Sequence, residues 1–260
     1  MRYGLVREKV EADHYVLGGL TKIPKTVLQP DGNWSKHVPK YEPQAESYET
    51  WGCTCWGTQN AIEMLFKRLY GYEPNFSERF NYILTHIREP GASPHDLAEC
   101  VRKQGLIDAE SLPVPPTYEE FIQPDPMETK YIVKGQSFLN TYEFGHDWVF
   151  NSDFLSPEEK TALLKEALTF SPVGVSVTAW YEKDGLYYDH GLPNTHWCVL
   201  IAFEPRQDGD YPVIFDSYDH SIKVLDKDHN IMMAKRYYIG RRVRKDNWLM
   251  LLIKRLFNLK

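Results

Sequence analysis

The feature that most constrains the fold is a change in hydrophobic period along the chain of 260 residues. Up to residue 170 apolar residues recur at helical spacing, and from residue 174 they form short β-branched runs between turn residues. This order of elements is typical of an α+β protein with a helical lobe followed by a sheet lobe. A cleft between two such lobes would bring together residues that are far apart in the sequence.

The individual elements follow from the same pattern. Helices are predicted over residues 56–70, 76–87, 93–104 and 156–170. Gly71 is expected to end the first helix, and Ser156 with Pro157 to begin the last. Residues 108–130, rich in proline and acidic groups, are predicted to form a loop. Strands are predicted over residues 174–179, 198–203, 213–215, 221–225 and 236–239.

These predictions divide the chain into three parts. Residues 1–45 lack clear periodicity and are expected to form an extended N-terminal segment. Residues 46–240 would form the folded domain, with the helical lobe over about 46–130 and the sheet lobe over about 170–240. The tail at 241–260 has seven basic residues and one acidic residue among many apolar ones. This tail either packs on its own domain or docks on a protein partner or an anionic membrane surface.

Charge and cysteine usage narrow the class of protein. A net charge of −6 argues against a general nucleic-acid binder, which carries a basic excess. The first eighteen residues carry charges throughout, and the chain lacks eighteen consecutive apolar residues, so neither a secretory signal nor a transmembrane helix is predicted. Four cysteines in a chain of this length favour free thiols in a reducing compartment. The sequence therefore predicts a cytoplasmic protein.

Two of the four cysteines, Cys53 and Cys55, stand one residue apart just before the first predicted helix. A helix N-terminus and a nearby imidazolium both favour a reactive thiolate, and Cys55 meets the first condition. His196 directly precedes a predicted strand, and Asp216 ends the next strand. Because neighbouring strand ends can bring side chains together, Asp216 is expected to orient His196 beside the thiol of Cys55.

Other interpretations of these residues stay open at this stage. Cys55 taken alone fits a small buried core residue. Cys53 and Cys55 could bind zinc together with His190 and His196, although structural zinc sites usually space their cysteines by two to four residues. His190 is a rival base, but it precedes a turn and not a strand.

Six pieces of the sequence occur in the order seen in papain-like cysteine peptidases, and together they span about residues 46–240. They are Cys55-Trp56, the helix that follows, Phe76-Ser77-Glu78, Ser171-Pro172-Val173, residues 195–201 and Asp216-Ser217-Tyr218. Cys55 and His196 are 141 residues apart, within the roughly 130–150 residues typical of that family. The chain thus resembles a divergent member of the family.

The resemblance implies a two-lobe α+β fold with the site in the cleft between the helical lobe and an antiparallel sheet or barrel lobe. It implies a Cys55–His196–Asp216 triad that cleaves peptide or isopeptide bonds through a thioester, without metal or cofactor. The family uses a cysteine equivalent to Cys53 in a disulfide, for which Cys100 is the candidate partner, but free thiols are expected here. Trp56, Trp197 and Tyr218 would line the substrate cleft.

The sequence departs from the family pattern in four places. The spacing from Cys53 to Cys55 is one residue shorter than in the family's Cys-Gly-Ser-Cys-Trp. The family's oxyanion-hole glutamine falls on Glu49, so Glu49 or Gln44 is the candidate for that position. Asp216 stands where the family has asparagine, and no inhibitory prosegment of the usual length is recognised before the domain.

These departures keep two alternative functions open. One is a papain-fold protein without turnover that serves as a binding or structural component, for which a virion is one setting. The other is an amidase or endopeptidase that cleaves peptidoglycan. The compact form of the chain resembles family members of bacterial or viral origin.

Overall fold

The structure is a computed structural model that describes residues 4–7, 9, 11, 14, 23–40, 43–44, 47–152, 154–191, 193–219 and 221–242. The helices are α1 (Cys53–Tyr70), α2 (Glu78–Leu84), α3 (Pro94–Gln104), α4 (Tyr118–Phe121), α5 (Thr129–Thr141) and α6 (Pro157–Leu168), with short 3-10 turns at Ser35–His37 and Asp125–Met127. The strands are β1 (Tyr142–Asn151), β2 (Val173–Val177), β3 (Glu182–Lys183), β4 (Leu186–Tyr187), β5 (His196–Arg206), β6 (Gly209–Asp216), β7 (Ser221–Val224) and β8 (Met233–Arg241).

Helix α1 is the central element of the molecule. Every residue from Cys53 to Phe66 is buried, because one side of the helix packs on α2 and α3 and the other packs on β5 and β8. Gly71 ends the helix with a φ of 72°, in the left-handed region that favours glycine, as the sequence predicts. A helix buried on all sides belongs to both lobes at once, so its first turn lies between them.

The other predicted helices carry the expected caps. The Ser93 side chain accepts hydrogen bonds from the first backbone N–H groups of α3. At α6, Ser156 and Glu159 form a reciprocal capping box. The α+β class and the helix-then-strand order are confirmed.

Two of the longer elements, α5 and β1, were not predicted, nor were the two-residue strands β3 and β4. Gly135 lowers the helical propensity of α5, yet it is required there, because a Cβ would lie 2.1 Å from the Gln104 carbonyl oxygen. Strand β1 contains His146 and Asp147, which hide its strand pattern, although both are buried. Asp147 is buried because Arg236 pairs with it, with 2.7 Å between Nε and Oδ1. The predicted loop 108–130 also contains the short helix α4.

The main sheet of the described residues has six strands in the order β1-β8-β2-β5-β6-β7, and every pairing is antiparallel. The sheet lobe therefore includes β1, which precedes the predicted boundary at residue 170. The largest apolar cluster fills the space between α1 and this sheet. A second cluster lies within the helical lobe around Cys55, Trp56 and Tyr82. The basic tail, apart from residues 241 and 242, lies outside the described residues.

None of the helices in the described part of the chain is both long and apolar enough to cross a membrane. The four cysteines are all free thiols, and all four are buried.

Candidate active site

His196 and Asp216 form a buried pair at the end of the sheet. His196 is the first residue of β5 and Asp216 is the last residue of β6, and these two strands pair with each other. The Nε2 atom of His196 lies 2.7 Å from Oδ1 of Asp216, and both side chains are fully buried. The contact that the strand ends led us to expect is therefore present.

Asp216 is held by more than the histidine. Its Oδ1 also accepts the backbone N–H of Tyr218 at 3.0 Å, and its Oδ2 accepts the ammonium of Lys223 at 2.6 Å. Burial opposes the charge on Asp216, but His196 and Lys223 outweigh burial and hold the pKa of this carboxyl well below its usual range. Asp216 is therefore a carboxylate at neutral pH.

Aromatic rings restrict the orientation of His196. Trp180 meets the imidazole edge-on with 5.5 Å between ring centroids, and Tyr218 does so at 6.0 Å. Tyr218 is itself fixed, because its hydroxyl donates to Glu49 at 2.7 Å. With one ring nitrogen on Asp216 and two aromatic contacts, the imidazole is constrained to a single orientation.

Two thiols lie near this pair. The Sγ of Cys198 is 3.7 Å from Oδ1 of Asp216, and the second thiol belongs to Cys53, the first residue of α1. The backbone of Trp197, the residue after His196, hydrogen-bonds the sulfur of Cys53, and the charge of Asp216 acts on the same thiol. One helical turn later, a Cβ on Gly57 would lie 2.9 Å from Cδ1 of Trp197. Cys53 and Gly57 therefore form the face of α1 that packs on the beginning of β5.

Cys55 lies on the other side of the helix. Two residues along an α-helix correspond to a rotation of about 200°, so Cys53 and Cys55 point in nearly opposite directions. The Sγ of Cys55 donates to the backbone oxygen of Glu78 at 3.3 Å, inside the helical-lobe cluster. The sequence analysis placed Cys55 beside His196 and gave Cys53 a structural role. In the structure the sulfur of Cys55 lies against Glu78, and it is the sulfur of Cys53 that bonds the backbone next to His196.

Both thiols are protonated in this conformation, because burial raises the pKa of each above the usual range of cysteine. For Cys53, the hydrogen bond from the Trp197 backbone acts in the opposite direction. Cys53 is also at the N-terminus of α1, where the helix dipole favours a thiolate. Exposure to water would therefore activate the thiol of Cys53.

The two oxyanion-hole candidates differ in what their side chains do. Glu49 uses one carboxylate oxygen to accept the backbone N–H of Trp51 and the other to accept the hydroxyl of Tyr218. Gln44 is buried and accepts a hydrogen bond from Ser217, next to Asp216, at 3.4 Å. The Nε2 donor of Gln44 meets no acceptor among the described residues. Of the two, Gln44 has a donor to offer, while Glu49 is committed as an acceptor.

The residues expected in the substrate cleft lie at three different depths. Trp56 is buried, but it lines a cavity of about 430 Å³ together with Gln44 and Tyr48. Trp197 is buried between α1 and β2, where it packs on Gly57 and Gly174. Tyr218 is half-buried above the imidazole of His196. Of the three, Trp56 lines a cavity and Tyr218 is partly exposed, whereas Trp197 is enclosed in the core.

A short piece of the chain's own N-terminal segment crosses the cleft. Leu5 donates its backbone N–H to Thr195 of the sheet lobe at 3.2 Å. On the other side, Ala92 of the helical lobe donates to Gly4 at 2.9 Å and accepts from Val6 at 3.0 Å, in a parallel bridge. The Leu5 side chain packs on the cluster that contains Cys53, Trp148 and Trp197. Residues 4–6 thus lie over the cluster that contains Cys53.

One group of side chains could hold a metal ion among the described residues. A ring nitrogen of His196, the Sγ of Cys198 and a carboxylate oxygen of Asp216 lie within 4.8 Å of one another. The ammonium of Lys223 on Asp216 opposes a cation at this point. The zinc set weighed from the sequence is not assembled, because Cys55 faces the helical lobe and His190 is exposed beside Tyr181.

Sequence reasoning missed three parts of this site: the orientation of Cys53, the ammonium of Lys223 and the crossing of residues 4–6. One signal for Cys53 was present, since Cys53 and His196 are 143 residues apart and satisfy the family spacing as well as Cys55 does. Lys223 alternates with apolar neighbours in a strand, where lysine usually points to solvent, so its burial was not readable.

No model of a known protein family matches this sequence, and no curated protein matches it. Solved structures do match its fold. Two crystal structures of the ragweed pollen allergen Amb a 11, a cysteine protease in its proform, align with TM-scores of 0.58 and 0.60 at 15% and 18% identity. They cover 85% and 84% of this chain and 68% and 67% of theirs.

Digestive procathepsin L 3 from the larval midgut of Tenebrio molitor aligns with a TM-score of 0.59 at 14% identity. The alignment covers 83% of this chain and 73% of that chain. At these identities the likeness concerns the fold alone. The chain has the α+β two-lobe fold of papain-like cysteine proteases.

Proposed function

We propose that the protein is a cysteine peptidase in which Cys53 is the nucleophile, His196 the acid–base and Asp216 the group that orients His196. The observation that supports this most is the His196–Asp216 contact of 2.7 Å at the start of β5, where the backbone of Trp197 hydrogen-bonds the thiol of Cys53. A thiol at a helix N-terminus, a histidine and a carboxylate are the parts that nucleophilic acyl transfer requires.

The reaction follows from these roles. Cys53 transfers its proton to Nδ1 of His196, and the thiolate attacks the carbonyl carbon of the scissile amide. The tetrahedral intermediate collapses as His196 donates the proton to the leaving amine, so the C–N bond breaks and a thioester on Cys53 remains. Water then gives a proton to His196 and attacks the thioester, which releases the acid and the thiol.

The negative oxygen of the intermediate needs two hydrogen-bond donors. The Nε2 group of Gln44 is the side-chain donor in this proposal, and the backbone N–H of Cys53 at the beginning of α1 is the second. The backbone N–H of Cys55 is unsuited, because it donates to the Gly52 carbonyl at 2.7 Å.

The substrate class is an extended peptide. Residues 4–6 are an extended stretch that bonds Ala92 on one lobe and Thr195 on the other, so these two backbones can hold a peptide strand across the cleft. The same stretch lies over the cluster that contains Cys53, and a substrate can reach the sulfur only after these residues move. The chain in this conformation is therefore a latent enzyme.

Labelling by an epoxide thiol inhibitor such as E-64, followed by mass mapping of the modified peptide, tests the assignment. The expected adduct is on Cys53, and it disappears in Cys53→Ala and in His196→Ala. Cys55→Ala is the matched control and should label normally. An adduct on Cys55 that requires His196 would overturn the choice of nucleophile.

A second candidate, a papain-fold binding or structural protein without turnover, is favoured by the burial of the thiol and by Glu49 acting as an acceptor. It predicts a folded protein that stays unlabelled even when residues 4–6 are displaced. A turbidity assay on purified cell walls separates a peptidoglycan-cleaving enzyme from a peptidase that acts on proteins.

A further inference from the structure

Lys223 is a buried cation that the catalytic scheme above does not use. Its side chain is about 1% exposed, and its Nζ lies 2.6 Å from Oδ2 of Asp216, the oxygen that does not contact His196. Nζ also bonds Asp219 and lies over the ring of Trp180, 4.7 Å from its centroid. A lysine is rarely buried so deeply unless its charge is paired, so its position at this carboxylate requires an explanation.

We propose that Lys223 is a positioning residue, whose ammonium neutralises Asp216 so that the pair acts on His196 as an uncharged, fixed hydrogen-bond acceptor. This inference rests on the proposed function for its consequence in catalysis. It does not depend on that function for its effect on His196.

The physical reason lies in the opposing demands on the imidazole. A lone buried carboxylate would stabilise the imidazolium so strongly that His196 would be slow to give its proton to a leaving amine. A second positive charge on the far oxygen of the carboxylate removes much of that attraction and leaves the hydrogen bond in place. Burial opposes the charge on Lys223, but Asp216 and Asp219 outweigh burial and raise its pKa above the usual value, so the ammonium is retained.

Lys223 also fixes the geometry of the carboxylate. Asp216 is bound through Oδ1 by His196 and the Tyr218 backbone, and through Oδ2 by Lys223, so neither oxygen can rotate away. The same ammonium contacts Trp180, whose ring meets His196 edge-on. Lys223 therefore supports His196 from two directions, through the carboxylate and through the indole.

Several titratable or charged groups face the His196–Asp216 pair, and each one can contribute to its titration. They are Cys53 on α1, Cys198 on β5, Tyr218 after β6 with Glu49 bound to it, and Asp219 with Lys223 on the β6–β7 side. None of these groups except Lys223 places a positive charge on Asp216 among the described residues.

The test is a double-mutant cycle with Lys223→Met, Asp216→Asn and the double variant, made in the full chain with Cys53→Ala to prevent turnover. The readout is the NMR titration of the His196 ring, identified by the resonance lost in His196→Gln. Lys223→Met should move the titration midpoint of His196 up by about one pH unit, and Asp216→Asn should move it down. The double variant should return near the parent, because both charges are then absent.

A purely structural role of Lys223 predicts a different result. Lys223→Met would then lower the free energy of unfolding without moving the His196 midpoint, and the double variant would not restore the midpoint that Asp216→Asn lowers. That result would overturn the proposal. If Lys223→Met fails to fold, Asp216→Asn and the double variant still decide, because removing Lys223 in the Asn background should raise the midpoint. With Cys53 restored, the pH profile of kcat should shift in the same directions. If the chain with Cys53 restored is inactive while His196 shows the expected midpoints, the peptidase assignment is refuted and the role of Lys223 is retained.

Discussion

The two faces of the first turn of α1 offer a comparison within one helix. Cys53 and Cys55 are both buried thiols with raised pKa values, and both are within three residues of the same helix N-terminus. Cys53 faces the end of the sheet where His196, Asp216 and Lys223 are buried. Cys55 faces an apolar cluster with Trp56 and Tyr82, where its sulfur donates to a backbone oxygen.

Residue type and position at a helix N-terminus therefore do not distinguish a candidate nucleophile from a structural thiol. What selects it is the rotation of the helix relative to the sheet, since about 200° separates the two side chains. Burial gives both thiols the same protonated state, so only the neighbouring groups distinguish them.

Replacing each thiol by serine should separate the two faces most strongly. Cys53→Ser is expected to lower kcat/KM for a peptide substrate on the order of 10³-fold or more. A serine hydroxyl is much less acidic than a thiol, so His196 would not convert it into an ionised nucleophile. Cys55→Ser should keep kcat/KM within a few-fold, because its hydroxyl can make the same bond to Glu78. Steady-state kinetics on both purified variants decide the matter, and the reverse pattern would refute the assignment of Cys53.

The buried ion pair of Asp216 and Lys223 at the end of the sheet should make Asp216→Asn strongly destabilising. Removing the carboxylate that pairs with the buried ammonium of Lys223 and contacts His196 should lower the free energy of unfolding by about 3 kcal/mol at pH 7. The matched control in the helical lobe is Asp125→Asn, whose pair with Arg79 at 2.9 Å involves a half-exposed carboxylate and should cost less than about 1 kcal/mol.

The pH dependence of that difference has a definite sign. The pKa of Asp216 in the folded protein is depressed below the ordinary value of 3.8, so its stabilisation is present above that value and is lost as the pH falls below it. In urea unfolding at a series of pH values, the gap between the parent and Asp216→Asn should therefore narrow toward pH 3. A gap that widens on acidification would contradict the ionised, paired state of Asp216.

Residues 4–6, which lie over the cluster that contains Cys53, provide a third contrast between Cys53 and Cys55. Gly4 has a φ of 84°, and a Cβ there would lie 1.9 Å from the Trp51 carbonyl oxygen, so Gly4→Ala should displace residues 4–6. The rate of thiol modification at Cys53 should rise about 10-fold, which corresponds to about 1.4 kcal/mol in the opening equilibrium, while Cys55 stays protected. Mass mapping after timed alkylation measures both rates in one sample.

Gly71→Ala is the control for this change. Gly71 also has a positive φ, of 72°, but a Cβ there meets nothing within 4 Å, so the strain stays at the end of α1. Modification of Cys53 should be unchanged in this variant. Equal acceleration by both alanines would show that general destabilisation exposes the thiol, and residues 4–6 would then have no specific covering role.

How much of this could be predicted from the sequence depends on the range of the interactions. The caps at Ser93 and Ser156, the end of α1 at Gly71 and the contact of His196 with Asp216 follow from local patterns and strand order. The choice between Cys53 and Cys55 does not, because the two share a local sequence and differ only in what the tertiary fold places opposite them.

Helix α5 and the burial of Lys223 were unpredictable for the same reason. Gly135 is explained by a carbonyl of another helix, and Lys223 by a carboxylate on the neighbouring strand β6. Each residue violates a local preference that a distant partner compensates. In this chain such violations lie at the interface between α3 and α5 and beside the candidate catalytic pair, where they mark the parts of the sequence that the fold alone explains.

The smallest expected effect concerns stability at the two thiols. Cys55→Ala should lower the free energy of unfolding by about 1 kcal/mol, because it removes one buried sulfur and its contact with the Glu78 carbonyl. Cys53→Ala should cost a similar amount, since its sulfur is equally buried among Trp148 and Trp197. Urea unfolding of both variants measures the two values. If only Cys53→Ala were costly, the lost activity of Cys53 variants could be ascribed to misfolding, whereas equal costs assign the difference between the faces to chemistry.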